Sequence, residues 1–89
     1  MDINWIENFL TLYKCGNFHV ASEQRFISQS AFSRRIHSLE VWVGAKLIDR
    51  SMQPVQLTFA SELFKPIAQE IVRLAYLSRN DIQVKYLRY

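Results

Sequence analysis

Four polar side chains in the middle of the sequence have the types and spacing to contact a nucleic acid. They stand at i, i+3, i+4 and i+7 and are Ser30, Ser33, Arg34 and His37. A helix through these positions presents all four on one face. Such a helix fits the major groove of DNA when its side chains are short or can extend towards base edges and phosphates. The stripe therefore predicts a DNA-recognition helix over residues 29–43.

The start of the same helix adds groups that bind bases and phosphates. The Gln29 amide can make two hydrogen bonds to an adenine edge, and the Arg34 guanidinium can pair with a guanine edge or bind a phosphate. Ser28 and the first free amide groups of the helix can hold a phosphate. An ordinary solvated helix face carries similar residues, so the surrounding elements must decide between the two interpretations.

Three helices are expected to support this face. Apolar residues at helical spacing place the first helix before Gly16, the second over residues 18–25 and the third between Ser28 and Gly44. The predicted N-caps, in chain order, are Asn4, Asn17 and Ser28. The buried stripe of the third helix consists of Phe32, Ile36, Leu39 and Val43. The tight turn at residues 26–28 predicts a helix-turn-helix.

A short hairpin is predicted after the third helix. Residues 47–57 have the pattern of two strands around a turn, and Pro54 suits the start of an edge strand. Arg50 lies at the turn, with Ser51 and Gln53 beside it. These side chains would reach the DNA backbone or the minor groove next to the recognition helix. The sequence therefore predicts a mainly α-helical, winged helix-turn-helix fold.

A long helix is predicted to follow this first domain, which covers residues 1–58. Thr58 can cap it, and its apolar positions extend over residues 59–78. The helix is too long for the small core, so its surplus apolar residues need another surface to cover them. Residues 79–89 are expected to form a tail, in which Ile82 to Tyr86 alternate like a strand.

Composition limits the classes of partner and compartment. A net charge of +3 and a pI near 9.3 favour an anionic partner such as nucleic acid or an acidic membrane face. The single cysteine, Cys15, excludes an internal disulfide and a cysteine-cluster zinc site and agrees with a reducing compartment. No apolar run approaches the ~20 residues of a membrane span, and no signal-peptide pattern is present. We therefore expect a soluble cytoplasmic protein without a membrane partner.

The residue inventory does not favour an enzyme. The two histidines, His19 and His37, have no nearby paired carboxylates, and the sequence has no glycine-rich phosphate loop. A metal site built from Cys15 and both histidines would lack a fourth ligand and the usual ligand spacing. We expect no cofactor and no metal, and we expect Cys15 to be a structural thiol of the first helix.

The residues themselves resemble those of a known family. The matching positions are residues 17–23 (NFHVASE), residues 28–36 (SQSAFSRRI), Leu39, Glu40, Gly44, Leu47, Arg50, Pro54, Leu57, Thr58 and Pro66. The sequence resembles the DNA-binding domain of LysR-type transcriptional regulators. The resemblance implies DNA contacts at Gln29, Ser30, Ser33 and Arg34 and along the wing from Arg50 to Gln53.

The resemblance also has consequences for assembly. It implies that the long helix is a linker helix that pairs two subunits in a homodimer, which can associate further. The dimer contacts then fall on Leu63, Ile67, Ile71 and Leu74. The large effector-binding domain of the family is not present in these 89 residues, and the chain is expected to stop where that domain begins. No small-molecule effector site is expected in this chain.

Several positions depart from the common pattern of the family. Arg25 stands where a core leucine is usual, so the second helix must pack differently or send the guanidinium outward over its apolar stem. The other departures are Ser30, Gln53 and Ser61, which replace a frequent proline, a basic residue and a glycine. Within the family, the sequence is most similar to the hypochlorite-responsive subgroup, at Arg25 and at residues 9–12, 14–15, 17–18 and 31–36.

A second function fits the same sequence. A short interaction protein could pair through its linker helix with a full-length regulator and modulate it, with DNA binding secondary. A gel-shift series at rising salt separates the two functions. The DNA affinity of a protein that neutralises several phosphates falls steeply as salt rises.

Overall fold

The computed structural model describes residues 1–51 and 54–87. Its elements in chain order are α1 (Ile3–Cys15), α2 (Phe18–Gln24), α3 (Gln29–Val43), β1 (Ile48–Asp49), β2 (Gln56–Leu57) and α4 (Phe59–Leu87). This mainly helical architecture, with a two-stranded wing and a long final helix, confirms the predicted fold class. Within the described ranges, no helix is long and apolar enough to cross a membrane.

Helix α1 begins earlier than predicted. Its N-cap is Asp2, whose Oδ1 accepts a hydrogen bond from the Asn4 amide at 2.8 Å. The prediction of Asn4 as the cap is therefore wrong. Asp2 has the extended backbone and the short acceptor side chain that a cap requires, and Asn4 already lies in the first turn. The helix ends at Gly16 as predicted, with φ 67° and a hydrogen bond from its amide to the Leu12 carbonyl.

Helices α2 and α3 begin at the predicted caps. The Asn17 side chain accepts a hydrogen bond from the Val20 amide at 3.0 Å, and Ser28 Oγ accepts one from the Ala31 amide at 3.1 Å. Helix α3 ends at Gly44, which has φ 84°. That left-handed backbone suits glycine, so the predicted end of the recognition helix is confirmed.

The apolar core forms around α1, which contacts each of the other three helices. The buried apolar side chains are Ile6, Phe9, Leu12, Ala21, Phe32, Ile36, Leu39, Leu47, Ile48, Phe64 and Ala68. Most of the predicted stripe of α3 belongs to this core, and Val43 packs against it while partly exposed. This packing determines which face of α3 points outward.

The wing is attached to α3 through a buried carboxylate. Glu40 is only 5% exposed, and its Oε2 accepts hydrogen bonds from the Leu47 amide at 2.8 Å and from the Ile48 amide at 3.2 Å. In the hairpin, Ile48 pairs with Leu57 in antiparallel register. Pro54 lies two residues before β2, which begins at Gln56, so the prediction that it begins the strand is wrong.

Helix α4 is longer than predicted. It begins after Thr58, whose Oγ1 accepts a hydrogen bond from the Ser61 amide at 3.2 Å, and it continues through Pro66 to Leu87 over 29 residues. The prediction of a strand at residues 82–86 is wrong. No further strand lies beside this segment in the part of the chain that the structure describes, whereas a helix satisfies its backbone groups internally.

Candidate nucleic-acid interface

The polar stripe of α3 lies on the outside of the domain. Its exposed residues are Ser28, Gln29, Ser30, Arg34 and His37, and Ser33 is half-buried. The opposite side of the helix carries the buried apolar stripe and so cannot turn outward. The structure therefore brings the recognition residues that the sequence predicted onto one accessible face.

Hydroxyl groups cluster at the N-terminal end of that face. Ser28 Oγ accepts the Ala31 amide hydrogen bond and lies 3.3 Å from Ser30 Oγ. Since Ser28 uses a lone pair for the cap, its proton is available to Ser30 or to a phosphate. The positive end of the helix dipole lies at the same point. This end of α3 can therefore bind an anion.

Arg50 connects the wing to the recognition helix. Its Nη1 donates a hydrogen bond to Ser33 Oγ at 3.0 Å, and its guanidinium carbon lies 5.1 Å from the centre of the Phe18 ring. The side chain therefore contacts both helices of the helix-turn-helix. The sequence predicted that Arg50 and Ser33 belong to one interface, and the structure brings them into direct contact.

The turn of the wing contains a second polar contact. Ser51 donates hydrogen bonds to Asp49 Oδ1 from its amide at 3.0 Å and from its hydroxyl at 2.5 Å. These two hydrogen bonds stabilise the carboxylate and lower the pKa of Asp49 below its ordinary value. In this arrangement the Ser51 hydroxyl points to Asp49. Gln53, the third predicted wing residue, lies outside the described residues.

A surface groove of about 340 Å³ lies where α3 meets β1. Its lining residues are His37, Glu40, Lys46, Ile48, Asp49, Arg50 and Thr58. One carboxylate oxygen of Glu40, Oε2, is engaged by two backbone amides. Lys46 was missed by sequence reasoning. Its signal is a basic residue placed directly between the end of α3 and the wing.

Within the described part of the chain, Arg34 and Arg50 form no ion pair with a carboxylate. The ion pairs found within residues 1–51 and 54–87 are His19–Glu23, Arg25–Glu7, Arg73–Glu70 and Lys85–Asp81. None of them includes Arg34 or Arg50. Neither guanidinium therefore has to leave a carboxylate of the described residues to bind a phosphate or a base edge.

An apolar stripe runs along the outer face of α4. Leu63, Ile67 and Leu74 are 58%, 55% and 47% exposed. Ile71, which was predicted with them, is half-buried and packs partly against the core. Phe59 and Leu77 are exposed on the same face by their helical spacing, and sequence reasoning did not select them.

These elements define a class of protein. Helices α2 and α3 form a helix-turn-helix with a polar outward face, and an antiparallel wing follows it. Residues 3–62 match the family described as bacterial regulatory helix-turn-helix protein, lysR family. The chain belongs to this family and carries the DNA-binding domain of a LysR-type transcriptional regulator. The resemblance seen in the sequence is thereby confirmed.

Curated relatives are regulators of greater length. The chain is 44% identical over 64 residues to the HTH-type transcriptional regulator YjiE of Escherichia coli, which covers 72% of this chain and 21% of YjiE. It is 33% identical to TfdT of Cupriavidus pinatubonensis over 83 residues. This match covers 93% of this chain and 36% of TfdT. The chain thus spans about a fifth to a third of the length of these relatives.

Solved structures have the same architecture. VV2_1132, a LysR family transcriptional regulator, has a TM-score of 0.94 at 39% identity, with 100% of this chain and 31% of that chain covered. DarR of Vibrio fischeri, in complex with DNA, has the same TM-score and identity, with 98% of this chain and 30% of DarR covered. HypT of Salmonella, a hypochlorite-specific regulator, has a TM-score of 0.86 at 35% identity over 92% and 28%. The other two structures are equally or more similar, so the assignment of this chain to the hypochlorite-responsive subgroup stays a prediction.

Proposed function

We propose that the protein is a homodimeric regulator that binds specific sequences of double-stranded DNA, with α3 in the major groove and the wing at the flanking backbone or minor groove. The proposal rests on one exposed surface, which is formed by the α3 stripe and Arg50. A hydrogen bond from Arg50 to Ser33 joins the two parts of this surface. A relative of similar fold, DarR, has been seen in complex with DNA. Double-stranded DNA as the ligand implies a cytoplasmic protein.

Base recognition is assigned to the first two turns of α3. Gln29 and Arg34 are exposed and have the planar groups that make paired hydrogen bonds to adenine and guanine edges. Ser30 and Ser33 are short enough to let the helix approach the bases closely. Arg34 has no carboxylate partner within the described residues, so binding a guanine breaks no ion pair.

Phosphate contacts are assigned to the residues that surround this stripe. They are Ser28, His37, Arg50, Gln53 and Ser51, whose hydroxyl must first leave Asp49, together with Lys46, which lines the groove between α3 and β1. Ser28 and the helix dipole act at one end of α3, and the basic groups of the groove act at the other. Contacts at both ends fix the register of the helix on the duplex.

The dimer is assigned to the outer face of α4. An apolar stripe of this length is costly to leave in water, and a second copy of the helix presents an identical stripe. Leu63, Ile67 and Leu74 form the centre of the proposed contact. Ile71 contributes at the edge, because part of its surface packs against the core.

Gel shifts at rising salt test the proposal. The probe is a duplex enriched from a random-sequence pool by the wild-type chain, here called the selected duplex, and an unrelated duplex serves as control. Affinity for both should fall with salt, with a log–log slope of about 0.9 for each phosphate neutralised. The selected duplex should bind more tightly at every salt concentration. A purified chain that shifts neither duplex contradicts the proposal.

The second candidate function uses α4 without DNA. The apolar stripe of α4 would serve equally well to pair with a larger regulator that has a similar linker helix. Co-expression with such a relative, followed by purification and mass measurement, separates the two functions. A mixed dimer from a chain that shifts no DNA favours the interaction protein, and a homodimer that shifts DNA favours the regulator.

A further inference from the structure

Arg25 joins the end of α2 to α1 through every nitrogen of its guanidinium. Nε donates to Asn8 Oδ1 at 2.7 Å, Nη1 donates to Glu7 Oε2 at 3.3 Å, and Nη2 donates to Asn4 Oδ1 at 3.3 Å. The three acceptors share one face of α1, since they stand at i, i+3 and i+4. The guanidinium is therefore directed towards α1 and holds α2 against it.

Asn8 has a specific place in this contact. Its side chain is fully buried, and its Nδ2 has no hydrogen-bond partner among the described residues. A buried amide with an unsatisfied donor is unfavourable, so an apolar side chain would suit the site better if its role were only to fill space. The side-chain oxygen of Asn8 instead accepts the shortest of the three Arg25 hydrogen bonds. This contact explains why an amide can be accommodated there.

Arg25 also stands at the turn that leads into the recognition helix. It is the C-cap of α2, and the next residue, Phe26, has φ 58°. A bulky side chain in the left-handed region is strained, so neighbouring contacts must hold the turn. Backbone hydrogen bonds do part of this, including one from the Ile27 amide to the Ser22 carbonyl at 3.1 Å. The three contacts of Arg25 fix the same turn from the other side.

Glu7 connects this turn to α4. The Tyr76 hydroxyl lies 3.3 Å from both carboxylate oxygens of Glu7 and can donate to either, while Glu7 Oε2 accepts from Arg25. Tyr76 stands two turns beyond Ala68, the last fully buried residue described on α4. The side chains Tyr76, Glu7 and Arg25 therefore form one hydrogen-bonded chain from the linker helix to the turn before α3.

We propose that Arg25 is a positioning residue for the recognition helix, and that the chain Tyr76–Glu7–Arg25 couples the direction of α4 to the orientation of α3. The inference rests on the proposed function, because it concerns how that function selects DNA. If α4 pairs two subunits, its direction is set in the dimer. The hydrogen bonds among Tyr76, Glu7 and Arg25 then transmit the geometry of the dimer to the turn that orients α3 towards the bases.

A double-mutant cycle on the full chain tests the coupling, with the selected and the unrelated duplex as probes. Arg25→Lys keeps the charge, so affinity for the unrelated duplex should stay within about twofold. Affinity for the selected duplex should fall about tenfold, because one ammonium group cannot reproduce the fork of the guanidinium. Tyr76→Phe removes one hydroxyl and should lower that affinity about threefold. The fold-loss of affinity of the double variant should be smaller than the product of the two single fold-losses, because both substitutions interrupt the same series of hydrogen bonds.

Matched controls for both substitutions lie on α4, the helix of Tyr76. Arg79→Lys and Tyr86→Phe change exposed side chains of α4 and should leave the ratio of the two affinities unchanged. Urea unfolding monitored by circular dichroism checks that each variant is folded. If Arg25→Lys does not fold, Glu7→Gln combined with Tyr76→Phe provides a second cycle through the shared carboxylate.

The outcomes separate the inference from the proposed function. An unchanged affinity ratio in folded Arg25→Lys, or in Glu7→Gln where that variant takes its place, overturns the positioning role. If the fold-loss of affinity of the double variant equals the product of the two single fold-losses, the coupling to α4 is overturned. A wild-type chain that binds neither duplex overturns the proposed function and this inference together, and it does so before any variant is made.

Discussion

Arg50 of the wing donates a hydrogen bond to the hydroxyl of Ser33 on α3, across 3.0 Å. The contact uses one of the five N–H donors of the guanidinium and leaves the others for the DNA contact proposed above. The Phe18 ring beneath the group restricts where those donors can point. In the proposed complex, Arg50 would therefore approach a duplex from a position fixed relative to α3.

Arg34→Ala should reduce affinity for the selected duplex by about 1–3 kcal/mol and relax the base preference at one position. The reason is the loss of paired hydrogen bonds to a guanine edge. Fluorescence anisotropy on single-base variants of the duplex measures both effects. Arg79→Ala, a change of the same charge on α4, is the control. A uniform loss over all variants would assign Arg34 to a phosphate, and no loss would refute its predicted role.

Leu74→Asp should dissociate the dimer and leave the fold intact. A carboxylate in the apolar α4 stripe must be desolvated when two helices pair, and this opposes association. Sedimentation velocity gives the mass in solution. Asn80→Asp places the same charge at an exposed polar position of α4 and should stay dimeric. An unchanged mass for Leu74→Asp would exclude this face as the interface.

Glu40→Gln should destabilise the domain by about 1–3 kcal/mol, because it weakens two charge-assisted hydrogen bonds and buries an amide donor that needs a new partner. Urea unfolding measures the change in free energy. Glu23→Gln alters an exposed glutamate of α2 and serves as the matched control. Equal stability of Glu40→Gln and wild type would show that the carboxylate is not needed to attach the wing.

Ser51→Ala should raise the pKa of Asp49 towards its ordinary value, because the hydroxyl is the larger of the two causes that lower it. A carboxyl whose pKa is lower in the folded state contributes stability above its unfolded pKa and loses it as the pH falls through the folded pKa. The wing turn of the wild type should therefore resist acid to a lower pH than that of the variant. Carboxyl chemical shifts followed by NMR against pH test this, and identical titrations would contradict the role of Ser51.

The local boundaries were predictable where one side chain acts on nearby backbone. Ser28 caps α3 and Gly44 ends it because hydroxyl caps and left-handed glycines obey rules that span only a few residues. Asp2 was missed because Asn4 has similar capping chemistry close by, and the sequence pattern does not show which backbone is extended. Helical spacing predicted which residues share the outward face of α3, whereas its interpretation as a recognition face also needed the surrounding elements.

Features that depend on distant partners were not predictable in the same way. The alternation at residues 82–86 suggests a strand, but a strand needs a neighbour, and α4 simply continues. Arg25 was recognised as unusual, yet its acceptors on α1 and the link to Tyr76 depend on how α2 and α4 cross α1. Such contacts require the packing angles of whole helices, which residue spacing does not contain.

The carboxylate of Glu40 has a consequence for the thermodynamics of binding. By holding the base of the wing, and with Thr58 hydrogen-bonded to the Lys46 carbonyl at 2.6 Å, it restricts the hairpin before any ligand arrives. The conformational entropy of the hairpin base is thus lost during folding and not during association. The base of the hairpin is thus preorganised when the domain meets a duplex, so that little ordering of this base opposes the complex.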